Sequence, residues 1–105
     1  MIITTTDKIE GKEIVEYLGV VFGETVNGIN FVKDFGAGIR NLVGGRSAGY
    51  EEELVSSRED AIAEMTSRAT KIGADAIVGL KMNVEAFGQG NMLLVNVIGT
   101  AVKLK

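Results

Sequence analysis

Residues 44–80 read GGRSAGYEEELVSSREDAIAEMTSRATKIGADAIVGL, and a change of period inside this stretch decides the fold. Leu54, Arg58 (by its aliphatic stem), Ala61, Ile62, Met65, Ala69 and Ile72 recur at steps of three and four, the spacing of one face of an α-helix. After Gly73 the period falls to two, which sets Ala76, Val78, Leu80, Met82 and Val84 on one face of a strand. Ser47 suits the N-cap of the helix. Glu51, Glu52 and Glu53 follow near its positive end, and Gly73 is the expected left-handed stop. A helix that runs straight into a strand has to lie on a sheet.

The flanking segments supply that sheet. Ile2 to Thr6 reads as a short strand, and Asp7 to Lys12 as a polar loop. Glu13 to Val26 is a second strand, apolar on both faces from Tyr17 to Phe22 apart from Gly19. Gly19 and Gly23 mark a bulge or a close backbone approach. Asn30 can cap a shorter helix carrying Phe31, Phe35, Ile39 and Leu42, weakened by Gly36 and Gly38 and ended by Gly44-Gly45. The third strand runs from Ala76 to Phe87, a turn occupies Gly88 to Asn91, and the fourth strand runs from Met92 to Leu104. In that last strand Asn96 stands alone among apolar neighbours. The whole chain, residues 1–105, is thus one α+β domain of order β-β-α-α-β-β, with a mixed sheet and the long helix on one face. The link between the second and third strands is a crossover between strands of like direction. Val, Leu and Ile on the face away from the helix predict self-association, because a lone copy would expose a large oily patch.

Composition narrows function by exclusion. A net charge of −3 argues against a nucleic-acid partner and against an anionic membrane surface. No apolar run approaches the ~20 residues of a membrane span, and no basic-then-apolar leader opens the chain. A cytoplasmic protein is the expectation. The sequence contains no Cys and no His. Disulfides, thiolate chemistry, the commonest transition-metal ligands and the commonest general base are therefore missing.

At a series of positions the chain resembles a known family. Thr4-Thr5, Ile14, Tyr17-Leu18-Gly19, Val21 and Gly23-Glu24 are similar to its N-terminal half. Asp34, Ile39-Arg40, Gly44-Gly45-Arg46-Ser47, Tyr50-Glu51, Ala61, Glu64-Met65 and Gly73 to Gly79 are similar to its signature. This is the YbjQ-like family of small bacterial and archaeal proteins, which carries a heavy-metal-binding label. The resemblance implies a β-β-α-β-β fold like the dodecin subunit, assembled as a ring-shaped homopentamer. It implies no catalytic residue, and without Cys or His no soft-metal site can be drawn here.

The best site candidate is Gly44, Gly45, Arg46 and Ser47 with nearby Tyr50. Backbone N–H groups at a helix start, the helix dipole and a guanidinium together suit a small phosphate or carboxylate ligand. The alternative is a glycine hinge whose Arg46 pairs with Glu51 or with a neighbouring subunit. Gly36-Ala37-Gly38 starts like a dinucleotide fingerprint, but Asn41 stands where the third glycine belongs. Glu24 with Glu51, or Asp34 with Asp75, could hold a hard cation or do acid–base work; the alternative is ordinary solvated carboxylates. Met65, Met82 and Met92 suit core packing better than Cu(I). The leading expectation is a non-catalytic homo-oligomeric module, pentameric by the resemblance, that binds a small anionic ligand or serves a structural role. No cofactor is expected. The other readings are a carboxylate enzyme using a hard metal ion, and the heavy-metal role of the family label.

Overall fold

The computed structural model describes residues 1–28, 48–88 and 91–105, and of residues 48–50 the backbone alone. Strands β1 (Ile2–Ile3) and β2 (Ile14–Gly28) precede helix α1 (Ala48–Lys71), and strands β3 (Ala76–Phe87) and β4 (Met92–Leu104) follow it. They form one mixed four-stranded sheet in the order β1-β3-β4-β2. β1 runs parallel to β3, while β2 and β3 each run antiparallel to β4. β2 and β3 thus point the same way, as the crossover requires, with β4 between them. The expected shorter helix over Asn30 to Leu42 lies outside the described residues.

α1 covers one face of β2 and β4. Ala61, Met65 and Ala69 are fully buried against Val21, Leu93, Val95, Val97 and Ala101. Leu54 and Ile62 flank this line, half-buried. The helical stripe therefore packs as its spacing demands, except at its end. Ile72 is 49% exposed, because the helix stops at Lys71 and the chain turns. Gly73 N and Ala74 N donate to Thr70 O and Ala69 O, closing the last turn. The helix sits very close to the sheet at Gly23, whose Cα faces the Ala61 carbonyl; a Cβ built there would lie 1.9 Å from that oxygen.

One expectation about β3 is corrected. Ala76, Val78, Leu80, Met82 and Val84 do not share a face. Ala76 and Val78 pack with Val102, Ile9, Ile14 and Leu104 on the side away from the helix. Leu80 and Met82 pack with the helix-side core. The cause is a bulge between Val78 and Lys81, where Gly79 takes φ +65°. One extra residue exchanges the two faces of every position beyond it. β2 carries two register shifts against β4, between Ile14 and Glu16 and between Tyr17 and Gly19, the second with Gly19 at φ +120°. Two extra residues cancel, so Ile14 and Val20 keep the same face.

β1 is also shorter than the expected Ile2–Thr6. Beyond Ile3 the threonine hydroxyls bond locally, Thr4 Oγ1 to Thr6 Oγ1 at 2.8 Å and Thr6 Oγ1 to Lys8 O at 2.7 Å. The backbone still tracks β3, with Gly79 N donating to Thr6 O and Leu80 N to Thr4 O. Beyond the bulge no described strand pairs with the outer edge of β3.

Candidate functional site

Gly44, Gly45, Arg46 and Ser47 lie outside the described residues, as does Asp34. Tyr50 falls in the first turn of α1, with no described side chain. Of the candidate carboxylates, Glu24 belongs to the sheet face opposite the helix, whereas Glu51 is on the helix, so the sheet separates them.

Asp75 has a structural job. Its Oδ2 accepts from Leu104 N at 2.9 Å, and its own N–H donates to Val102 O at 2.9 Å, so it ties the start of β3 to the end of β4. Asp75→Ala should lower stability by ~1 kcal/mol, and Asp75→Asn, which keeps an acceptor, by clearly less. Urea unfolding followed by circular dichroism checks both.

A polar contact pins the helix to β2. Ser57 is fully buried; its Oγ accepts from Asn27 Nδ2 at 2.6 Å, and its carbonyl accepts from Thr25 Oγ1 at 3.1 Å. Further along, Arg68 wraps round the outer edge of β2. Its Nη1 donates to Phe22 O at 2.7 Å and pairs with Glu64 Oε1 at 2.6 Å, while its guanidinium stacks 4.4 Å from the centre of the Phe22 ring. The ion pair is exposed and contributes little by itself. The stacked and bonded guanidinium occupies one outward carbonyl of an otherwise open edge strand.

The sheet face away from the helix carries a cluster of exposed large apolar side chains. Tyr17 is 71% exposed, Val20 66%, Val26 55%, Phe22 46% and Ile98 42%. By contrast Leu93 and Val95, on the helix side of β4, are fully buried. The loop residue Ile9 packs at the Ala76–Val102 end of the open face. The rest has no described cover.

A polar row crosses this face in register. Glu24 of β2 lies directly opposite Asn96 of β4, and Asn96 directly opposite Asn83 of β3. Asn96 Oδ1 is buried and has no hydrogen-bond partner among the described residues. A groove of about 380 Å³ lies beside it, lined by Asn83, Val84, Glu85, Leu94 and Asn96. Asn96 is legible in the sequence as a polar residue among apolar ones. Its pairing with Asn83 follows from the hairpin, whose register runs unbroken from Phe87–Met92 to Asn83–Asn96. Its alignment with Glu24 depends on the pairing of β2 with β4, which no local pattern carries.

The donor set does not fit a heavy-metal site. No imidazole or thiol exists in the chain. Among the described residues no group of three or more Asp or Glu side chains is placed to hold an ion. The Met65 thioether is fully buried in the core. No described helix is long and apolar enough to cross a membrane.

These features define a small α+β protein with one helix-covered and one open sheet face. A family model described as "Putative heavy-metal-binding" matches residues 1–105, and the chain belongs to this YbjQ family. A UPF0145 protein of Listeria welshimeri is 55% identical over 106 residues, covering 100% of this chain and 96% of the relative. UPF0145 proteins of Listeria monocytogenes are 54% identical with the same coverage. The chain is also similar in fold to a crystal structure of a protein of unknown function from Pediococcus pentosaceus, of the DUF74 family. The TM-score is 0.72 at 19% identity, over 100% of this chain and 98% of that one.

Proposed function

We propose that this protein is a self-assembling module, a homo-oligomer whose subunits meet through the open sheet face and the β2 edge. The supporting observation is the exposure of Tyr17, Val20, Phe22, Val26 and Ile98 on one face. Clustered apolar side chains of this size mark an association surface. Each large side chain withdrawn from water contributes ~1.5–3 kcal/mol before the costs of association. The edge supports the same reading. β2 is 15 residues long and has no described outer neighbour.

A ring of five is the stoichiometry that the family resemblance suggests. In such an assembly Gly44, Gly45, Arg46 and Ser47, with Tyr50, recur once per subunit. Their chemistry suits a small phosphate or carboxylate. The role is binding or scaffolding in the cytoplasm, with no catalytic step assigned.

Val20→Asp tests the interface without touching the core, since Val20 is 66% exposed. The expected result is a folded chain with an unchanged far-UV spectrum that sediments as a monomer at micromolar concentration. An assembly of unchanged size in this variant would contradict the placement of the interface.

A further inference from the structure

α1 leaves part of the helix-side face of the sheet uncovered. A helix with its side chains is ~10–12 Å across, enough for about two strands set ~4.8 Å apart. Here those two strands are β2 and β4. Val84 of β3 lies directly opposite Val95 of β4, and Ala86 opposite Leu93. Residues paired in this way share a face. Val95 and Leu93 are fully buried, yet Val84 is 43% exposed and Ala86 is exposed too. The flank of α1 beside them is also bare. Ser57 and Arg68 reach across to β2, so the opposite flank of the helix, with Val55 and Ile62, looks towards β3. Val55 is 48% exposed, and Ile62 and Met82 are half-buried at the rim of the core. Val55, Ile62, Met82, Val84 and Ala86 therefore line an apolar valley between α1 and β3.

We propose that residues 31–42 of the same chain occupy this valley, so that the crossover contributes a second helix beside α1. Phe31, Phe35, Ile39 and Leu42 give this stretch one apolar stripe at helical spacing. Twelve residues of helix extend ~18 Å, enough to run past both Val55 and Ile62, which stand two turns apart. The points where the chain leaves and rejoins the described fold agree. Gly28 pairs with Met92, and Met92 with Phe87, so the chain leaves β2 at the end of the sheet where Val84 and Ala86 stand. It rejoins at Ala48, and Ser57 of the same helix already touches Asn27 near that end. A segment tethered at both ends beside the valley meets it at a far higher effective concentration than any separate chain does. The valley is on the helix side, apart from the open face and the β2 edge assigned to assembly above.

The chain contains no Cys, so an introduced pair has no competitor. Val84→Cys is combined with Phe35→Cys in one variant and with Ile39→Cys in another. Under mild oxidation at least one variant should close a disulfide within a single chain, read by mass spectrometry of the denatured protein, since the bond forms only between neighbouring Cβ atoms. Proteolysis gives a second readout, because trypsin cuts a segment at the rate it is exposed. Val84→Asp places a charge in the valley at a side chain that is already 43% exposed, which spares the core beneath α1. Cleavage after Lys33 and Arg40 should then be about tenfold faster or more than in the unaltered chain, while α1 keeps its hydrogen-exchange protection. A disulfide joining two chains would overturn the proposal, because the valley would then hold a neighbour's segment. Equal cleavage rates in the two proteins would overturn it as well.

Discussion

Gly23→Ala is expected to destabilise the protein by at least ~3 kcal/mol, the upper end of the usual cost of overpacking. Its Cβ would sit 1.9 Å from the Ala61 carbonyl oxygen and 2.9 Å from both Ala61 C and Met65 N. All three are backbone atoms, so no rotamer change makes room. α1 would have to lift from the sheet just where Ala61 and Met65 press on Val97 and Val95. Loosening that contact loses dispersion along the whole helix–sheet layer. For a domain of ordinary stability, ~5–15 kcal/mol, the loss is a large fraction. Because the obstruction is a carbonyl, Ala61→Gly in the same chain should not rescue it. Urea unfolding of the single and double variants checks this; rescue by Ala61→Gly would show that the crowding lies with the side chain.

Met65→Ala should cost ~2–5 kcal/mol, the range for truncating a large core side chain. Met65 is fully buried at the centre of the helix stripe, with Ala61 one turn before it and Ala69 one turn after. Both neighbours are too small to close the gap, so the cavity persists and the cost belongs in the upper half of that range. Met82, only half-buried beside the same core, should lose clearly less on the same change. Differential scanning calorimetry reads both, with a midpoint shift of ~4–8 °C per kcal/mol for a domain near this size. Equal shifts for the two methionines would contradict the placement of the core.

Much of this fold can be read from residue spacing. The Ala76–Phe87 and Met92–Leu104 strands match the expected bounds, and the long helix ends in the turn that Gly73 announces. Periodicity reports which residues share a face as long as a strand is regular. It fails at Gly79, where one extra residue sends Ala76 and Val78 to one side and Leu80 and Met82 to the other. Gly19 and Gly23 were legible as special, and they divide the two roles between them: Gly19 sits at a bulge and Gly23 under the helix. Arg68 is legible as a charge on the helix surface, four residues after Glu64 and so spaced to pair with it, as it does. Its wrap round β2 depends on the strand order, which no local pattern carries. The same holds for Glu24 in the polar row, which is far from Asn96 in the chain and meets it through the pairing of β2 with β4, whereas Asn83 meets Asn96 across the β3–β4 hairpin. The proposed anion site at Gly44 to Ser47 rests on residue types alone, since these residues lie outside the described ones.

The central claim is that one copy leaves an association surface uncovered. Sedimentation equilibrium of the unaltered chain, across a hundredfold range of concentration down to the low micromolar, tests it most directly. The account predicts one discrete assembly, with a mass that is a whole multiple of the single chain. A single-chain mass throughout, with the protein folded and dispersed, would contradict it.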